Sequence, residues 1–211
     1  MAFRQSIQIK GKKYMLKKDL YELISNECIA KDIFRARFAG DSSCFDAPGQ
    51  FVDIALPGCF LRRPVSVCDY FPGGFEIIYK VVGRGTDILS AQMPGEKLDM
   101  LAGLGNGFDM KVEAVSPVLI GGGVGIPPLY GLAKRLCGVR ELTVVLGYNS
   151  AREAFYIDEF KALGCRVIVA TADGSLGHMG FVTDAVKALG LIYDHVFTCG
   201  PVPMLKAVYD L

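Results

Sequence analysis

The glycine-rich stretch from Pro117 to Tyr130 has the residue types of a phosphate-binding turn. A short apolar run ends at Ile120, and Pro127 and Pro128 open an apolar pattern at helical spacing. Between them stand the glycines Gly121, Gly122, Gly123 and Gly125. Glycine allows close backbone approach and positive φ, and the free N–H groups of a helix start attract an anion. The stretch predicts a strand, a glycine turn and a helix suited to a pyrophosphate, with tight packing as an equally weighted alternative.

Two arginines and a serine stand at the start of another predicted strand. Arg62 and Arg63 precede Pro64, and Ser66 follows Val65. Arginine can hold a phosphate through two parallel hydrogen bonds, and a serine hydroxyl can bind a phosphate or the edge of a flavin. An exposed basic turn is the alternative explanation. A second glycine turn, at residues 82–86, precedes a predicted helix and is another candidate phosphate site.

Two further motifs lie at the ends of predicted elements. Residues 103–108 form a glycine-dense loop that includes Asn106 and Phe108, which favours a specific shape over a flexible linker. Residues 198–201 end a strand of a predicted parallel sheet, where ligands bind at the carboxyl ends of strands. Cys199 and the turn at Gly121 are therefore expected to face one crevice. A small buried thiol that packs against a cofactor is an equal alternative to a catalytic role for Cys199.

The first half of the chain has the pattern of a small antiparallel barrel. Short, partly alternating apolar segments are separated by Gly, Pro, Asp and Ser turns, which predicts a six-stranded β-barrel with one helix near residues 86–92. The predicted strands are Leu20–Ile24, Ile33–Phe38, Gln50–Leu56, Pro64–Cys68, Phe75–Val82 and Lys97–Leu101.

The second half alternates apolar strands with helices. The predicted strands are Val118–Ile120, Leu142–Leu146, Val167–Ala170 and His195–Thr198. Such alternation predicts a parallel, Rossmann-like α/β sheet with helices on both faces. The change of pattern predicts two domains, residues 1–113 and 114–211.

Composition restricts the class of partner. The 211 residues carry a net charge of +1 and contain no basic block, which argues against nucleic acid or an anionic membrane as partner. No apolar run reaches the length of a membrane span, so a cytoplasmic location is expected. The seven cysteines are scattered without Cys-x-x-Cys spacing, and only two histidines occur, which predicts reduced thiols and no zinc site.

The ordered set of motifs resembles the ferredoxin reductase superfamily. The matching segments are Arg63–Ser66, Gly83–Thr86, Leu104–Phe108, Gly121–Leu129, Asp173–Gly177 and Thr198–Met204. Within that superfamily the chain, from about Lys13 to its end, is most similar to the electron-transfer subunits of bacterial type B dihydroorotate dehydrogenase.

This resemblance implies that FAD lies across the barrel and NAD(H) on the α/β domain. The expected FAD-binding residues are Arg63, Pro64, Val65, Ser66, Ile78, Tyr79, Lys80, Gly85 and Thr86, and Asn106 is a further expected cofactor-binding residue. The expected NADH-binding residues are Gly121, Gly122, Gly123, Gly125, Cys199 and Gly200, with Cys199 near the nicotinamide and flavin as the candidate catalytic residue. The resemblance implies NAD rather than NADP, and Arg152, which could meet a 2′-phosphate, is a single arginine beside Glu153 and no basic cluster.

The implied function is electron transfer from NADH through FAD and a [2Fe-2S] cluster to FMN in a separate catalytic subunit. That subunit would oxidise dihydroorotate to orotate in pyrimidine biosynthesis, within a heterotetramer. One alternative is the flavoprotein subunit of an NADH-dependent ferredoxin:NADP oxidoreductase or sulfide dehydrogenase. The other is a flavin-binding partner subunit without turnover.

One feature departs from that family. Its cluster is held by four cysteines of a C-terminal extension, whereas this sequence stops at Leu211 and none of its cysteines has cluster spacing. No metal site is therefore expected in this chain. Truncation is favoured over natural loss of the cluster, because the last predicted helix ends without a glycine cap.

Overall fold

A computed structural model describes residues 3–9, 12–138 and 141–211. Contacts within the chain divide it into two compact units, Met1–Phe108 and Asp109–Leu211. The predicted domain boundary, between residues 113 and 114, lies a short way beyond this division and remains a prediction.

The first unit is an antiparallel barrel. Its elements are β1 (Phe3–Ile9), β2 (Lys12–Ala30), β3 (Ile33–Ala39), β4 (Phe51–Ile54), β5 (Arg63–Phe71), β6 (Gly74–Lys80), α1 (Arg84–Ser90) and β7 (Lys97–Leu104). In the described residues the strand order is β1-β2-β3-β6-β5-β4-β7, and β7 also pairs with β2. Strands β2 to β7 therefore close the predicted six-stranded barrel, which is confirmed, while β1 extends it as a hairpin with β2.

Strand β2 is much longer than the predicted segment Leu20–Ile24. Its first part pairs with β1, its middle with β7 and its end with β3. The lysine-rich start of β2 is stabilised by these pairings with distant residues, because a strand needs partners for its backbone N–H and C=O groups. The apolar pattern alone could not reveal them.

Aromatic side chains fill the barrel interior. Phe75 is fully buried, and its ring centroid lies 5.1 Å from that of Tyr21 and 5.4 Å from that of Phe38. Burying one such side chain contributes roughly 1.5–3 kcal/mol to stability. Helix α1 is tied to the barrel by Asn26, whose Nδ2 donates to the carbonyl oxygens of Leu89, Ser90 and Gln92 at 2.9–3.3 Å.

The second unit is a parallel sheet covered by helices. Its strands are β8 (Pro117–Gly122), β9 (Thr143–Tyr148), β10 (Arg166–Thr171), β11 (His178–Met179) and β12 (His195–Cys199). Its helices are α2 (Ile126–Leu136), α3 (Ile157–Ala162), α4 (Val182–Ala188) and α5 (Val202–Tyr209). The described strands follow the order β11-β10-β9-β8-β12, and every pair is parallel.

Helices lie on both faces of this sheet, as the sequence predicts. Val118, Ile120 and Val145 pack with residues of α4 and α5 in one apolar cluster. Side chains of neighbouring residues alternate between the faces of a strand, and Gly121, on the other face, lies against α2. The chain leaves β8 towards β9 and returns to the other side of β8 as β12, so the strand order reverses there. Such a reversal is where α/β sheets open a crevice for ligands.

None of the helices in the described ranges has both the length and the apolar character needed to cross a membrane.

Candidate functional site

Most glycines of the turn after β8 are required by packing within the protein. A methyl group at Gly121 would lie 2.8 Å from Ile126, and one at Gly122 would lie 2.5 Å from the sulfur of Met204. A methyl group at Gly125 would overlap the carbonyl oxygen of Cys199. The Cys199 carbonyl group is backbone and cannot move aside easily, whereas the contacts at Gly121 and Gly122 are mainly with side chains that can shift. The three glycines therefore let β8, α2, β12 and α5 approach closely, and Gly125 is the most constrained of them.

Gly123 differs from its neighbours. Its φ is +52°, and no heavy atom lies within 4 Å of the position that a Cβ would occupy. It begins a short 3-10 turn, Gly123–Gly125, that leads directly into α2. Gly123 thus combines a left-handed backbone with open space at the start of a helix, which is the geometry that lets a backbone approach a phosphate closely.

A cavity of about 370 Å³ opens beside this turn. It lies at the carboxyl ends of β8, β9 and β10 and at the starts of α4 and α5. The lining residues include Gly122, Gly123, Asn149, Glu153, Phe181, Thr183 and Met204. The walls are largely apolar with a few polar groups, and the volume is within the range of small-molecule sites.

Cys199 lies beside the turn at the reversal of strand order. It pairs with Gly121 across β12 and β8, and its carbonyl group faces Gly125. The cavity lining includes Gly122 and Gly123 but not Cys199, so a crevice shared by Cys199 and the glycine turn stays a prediction. Its side chain is half-buried, and burial raises the pKa of the Cys199 thiol. A neutral thiol is a weak nucleophile, and this favours packing as its role. Gly200 lies against the side chain of Met204.

The cavity wall includes the polar residues Asn149 and Glu153, and the sequence patterns did not mark either as a binding residue. Asn149 Nδ2 donates to Glu153 Oε2 at 2.9 Å. The backbone N–H of Ala151 donates to Ser175 Oγ at 2.8 Å, and Ser175 Oγ donates to Asp173 Oδ1 at 2.6 Å. The segment Asp173–Gly177 thereby holds the turn that carries Glu153. The sequence did contain one signal for these residues: they follow the ends of predicted strands, now β9 and β10, and ligands of parallel sheets bind at such strand ends.

The predicted flavin residues of the barrel are divided between its two faces. Val65 packs against the interior, and Tyr79 is buried there with its hydroxyl donating to Asn26 Oδ1 at 2.9 Å. Val67 and Ile77 are paired core residues, so Ser66 and Ile78 beside them lie on the opposite face of their strands by alternation, where Ile78 is only 2% exposed. Pro64 and Lys80 lie on the same outward face by the same alternation.

The two adjacent arginines have different partners. Arg62 Nη2 donates to Asp99 Oδ1 at 2.7 Å, and its Nη1 donates to the carbonyl oxygens of Asp53 and Asp99 at 3.2 and 3.0 Å. Arg63 instead lies over the start of α1, where a methyl group at Gly85 would overlap its guanidinium. Arg62 therefore joins strands of the barrel, whereas Arg63 brings a positive charge to the start of a helix.

Thr86 is used within its own turn. Its hydroxyl accepts from the backbone N–H groups of Val82 and Gly83 at 2.9 and 3.3 Å and donates to the carbonyl oxygen of Gly83 at 3.0 Å. These bonds satisfy N–H groups that a helix start leaves unpaired. The side chain of Thr86 thus shapes the turn beneath Arg63.

The glycine-dense loop after β7 has a defined shape. Gly105 and Gly107 have φ of +80° and +69°. Gln50 Nε2 donates to the carbonyl oxygen of Gly105 at 3.3 Å. The backbone N–H of Phe108 donates to the carbonyl oxygen of Pro48 at 2.8 Å. Asn106 is exposed at the tip of this fixed loop.

In the residues that the structure describes, no group of three or more His, Cys, Asp and Glu side chains could hold a metal ion.

A closed antiparallel barrel followed by a parallel sheet with a cavity at its strand ends defines the ferredoxin-reductase-like class of flavin- and nicotinamide-dependent oxidoreductases. The family model described as "Oxidoreductase NAD-binding domain" matches residues 119–210. The solved structure of phthalate dioxygenase reductase shares the fold, with a TM-score of 0.72 over 92% of this chain and 63% of that chain at 22% identity.

Sequence relatives narrow the class to one family. The dihydroorotate dehydrogenase B (NAD(+)) electron transfer subunit of Fusobacterium nucleatum subsp. nucleatum is 41% identical over 88% of this chain and 76% of its own. That of Bacillus pumilus is 40% identical over 92% of this chain and 79% of its own. This chain belongs to the family of dihydroorotate dehydrogenase B (NAD(+)) electron transfer subunits.

A solved structure of moderate identity comes from a related system. A chain in the structure of an NADH-dependent reduced ferredoxin-NADP oxidoreductase is 36% identical to this one. The match has a TM-score of 0.78 and covers 89% of this chain and 70% of that chain.

Proposed function

We propose that this chain is an FAD-containing subunit that passes electrons between NAD(H) and a dihydroorotate-oxidising partner subunit. The observation that carries the proposal is its identity of about 40% to electron transfer subunits over most of its length. The strand-end cavity and the outward barrel face supply places for two cofactors, each within one unit of the chain.

NAD(H) would bind in the cavity of the second unit, residues 114–211. Its pyrophosphate would lie at Gly123 and the start of α2, with the packed glycines Gly121, Gly122 and Gly125 holding the turn in place. The Glu153 carboxylate on the cavity wall would accept hydrogen bonds from ribose hydroxyls and repel a 2′-phosphate. Glu153 rather than Arg152 lines the cavity among the described residues, which favours NAD over NADP.

FAD would bind on the outward face of the barrel, residues 1–113. Ser66 and Lys80 lie on that face together with the buried Ile78, and the Arg63 guanidinium over the start of α1 would meet the phosphates. When bound, FAD accepts a hydride and can release its electrons singly. The protein contributes orientation: Tyr79 and Thr86 shape the barrel wall and the turn through bonds within the protein.

The partner would be a catalytic subunit that contains FMN, in a heterotetramer located in the cytoplasm. The described part of the chain contains no ligand group for a [2Fe-2S] cluster, so a cluster of the assembled enzyme would be held by residues outside it. Cys199 and Gly200 would lie near the nicotinamide. The half-buried Cys199 thiol would pack against the cofactor and define the end of its site.

A second candidate function follows from the 36% identity to a chain of an NADH-dependent reduced ferredoxin-NADP oxidoreductase. In that case the electrons would pass to or from ferredoxin. Co-purification separates the candidates: a dihydroorotate-oxidising subunit supports the first, and a ferredoxin- and NADP-linked partner supports the second.

The direct test of cofactor binding uses the purified chain. We expect a yellow protein with a flavin spectrum, and bleaching of the flavin band when NADH is added without oxygen. Flavin that NADH does not bleach would contradict the reductase function. Absence of flavin after reconstitution with FAD would contradict the assignment of the barrel as well.

A further inference from the structure

Two thiols of the second unit are in contact at the amino edge of the parallel sheet. Cys137 follows the last residue of α2, and Cys165 directly precedes β10. Their Sγ atoms are 3.3 Å apart. This is contact distance for two thiols, whereas the sulfur atoms of a disulfide lie about 2.0 Å apart. The cavity lies at the carboxyl ends of the strands, so the pair is separate from it.

The two thiols differ in access to solvent. Cys137 is half-buried, and Cys165 is only 7% exposed. Burial raises the pKa of Cys165, and the neighbouring Cys137 thiol raises it further. An external reagent therefore meets Cys137 first, while Cys165 is shielded from solvent but lies within reach of the Cys137 sulfur.

The backbone around the pair permits the sulfur atoms to approach. The backbone N–H of Cys137 donates to the carbonyl oxygen of Ala133 at 2.8 Å. The backbone N–H of Cys165 donates to the carbonyl oxygen of Phe160 at 3.2 Å, so the ends of two helices hold both cysteines. Each cysteine has a glycine neighbour, Gly138 or Gly164, with φ of +85° or +84° and no atom within 4 Å of a Cβ position. Glycine adjusts its backbone at low cost, and the open space allows a closing movement of about 1 Å.

We propose that Cys137 and Cys165 are a reversible dithiol–disulfide pair that a small-molecule disulfide oxidises. The Cys137 thiolate attacks the reagent, forms a mixed disulfide and releases one small thiol. The Cys165 sulfur, held beside the mixed disulfide, then loses its proton and attacks the Cys137 sulfur, forms the internal disulfide and releases the second small thiol, and the burial of Cys165 makes this the slower step. The protein loses two electrons and two protons, and the reagent gains them. This inference is independent of the proposed electron-transfer function.

The test uses the whole chain carrying Cys28→Ser, which removes the exposed thiol that would otherwise react. The protein is equilibrated with mixtures of reduced and oxidised glutathione, alkylated, and analysed by mass spectrometry before and after digestion. We expect a loss of about 2 Da on oxidation and a cross-linked peptide that contains Cys137 and Cys165. A stable glutathione adduct at Cys137, unreacted thiols throughout, or a bond between other cysteines would overturn the proposal.

Single substitutions provide the control. Cys137→Ser or Cys165→Ser should abolish the internal disulfide, whereas Cys59→Ser, at a half-buried thiol of the barrel, should leave it intact. Oxidation closes the loop between the two residues and should raise the Tm of the protein by roughly 10 °C, and Cys137→Ser should remove that rise. If Cys165→Ser does not fold, the comparison is made between the parent protein and Cys137→Ser alone, because Cys137 is only half-buried. A disulfide that persists in Cys137→Ser would refute the pairing.

Discussion

The two units of this chain place candidate cofactor residues by different rules. In the barrel, the candidates follow one another along strands, and alternation sends Val65 and Tyr79 into the core while Ser66 and Ile78 lie on the opposite face of their strands. In the parallel sheet, the candidates follow strand ends, and all strands end at one edge. In the barrel, adjacent residues therefore lie on opposite faces of a strand, whereas in the parallel sheet residues far apart in sequence meet at one edge.

The comparison shows that a motif of neighbouring residues contains both structural and ligand-facing positions. Arg62 joins two strands, but Arg63 covers a helix start. Gly125 packs against Cys199, but Gly123 faces open space. The two members of each pair are the same type of residue, but they have different roles because their contacts in the folded protein differ.

The largest expected effect concerns a packed glycine. Gly125→Ala places a methyl group on the carbonyl group of Cys199, and backbone atoms cannot move aside easily. We expect the free energy of unfolding to fall by about 3 kcal/mol or more, measured by urea denaturation. A change below 1 kcal/mol would show that the turn can shift and that Gly125 is not held by packing.

A second prediction separates the two arginines. Arg63→Ala should weaken FAD binding by roughly 10–100-fold, because a charged hydrogen bond to phosphate is lost. Arg62→Ala is the matched control: it should lower the free energy of unfolding by about 1–3 kcal/mol through loss of the Asp99 bond. Flavin fluorescence titration and thermal unfolding measure the two effects. An equal loss of flavin binding in both variants would contradict the assignment of FAD binding to Arg63 and of barrel stability to Arg62.

The third prediction concerns the open glycine of the turn. Gly123→Ala and Gly190→Ala change residues of matching φ, +52° and +53°, that both face open space. Each should cost about 1–2 kcal/mol of stability from left-handed strain. Only Gly123→Ala should weaken NADH binding, by roughly tenfold, measured by calorimetry. Equal NADH affinity in the two variants would remove Gly123 from the site.

The fourth prediction concerns the acidic residue of the cavity wall. Glu153→Gln keeps an oxygen for Asn149 but removes the charge. NADH affinity should fall about 3–10-fold from the weaker bond to ribose, while NADPH should bind relatively better. Asp158→Asn, on exposed α3, is the control and should change neither affinity. An unchanged ratio of the two affinities would show that Glu153 does not select the nucleotide.

The smallest effect is expected at Asp41, in the loop after β3. Hydrogen bonds from Lys17, then from Ser43, hold the pKa of Asp41 below its usual 3.8. The ionised Asp41 carboxylate stabilises the folded protein. Its contribution to the free energy of unfolding is therefore fully present above the usual pKa of 3.8 and is lost as the pH falls through the lowered pKa of the folded state. Asp41→Asn should therefore reduce Tm slightly at pH 7, with the difference from the native chain shrinking below about pH 3. A constant difference down to pH 2 would contradict this assignment.

Much of the fold could be predicted from local patterns. Most strands of both units, the barrel, and the helices on both faces of the sheet follow from apolar periodicity and turn residues, but β1 and the two-residue strand β11 were not predicted. The β1–β2 hairpin and the full length of β2 could not be predicted, because these segments become strands through their pairing with partner strands, and the start of β2 is rich in lysine. The candidate residues Asn149, Phe181 and Thr183 were missed for a related reason, since only the sheet brings their strand and helix ends together.

The sequence by itself determined the order of the elements and the positions of glycine, proline and arginine that a phosphate-binding turn requires. It did so because backbone restrictions and apolar periodicity act over a few neighbouring residues. Only the tertiary structure decided which glycine faces open space, which arginine is held by Asp99, and which two of seven cysteines touch. Those outcomes depend on contacts between segments distant in the chain, and local residue preferences do not encode such contacts.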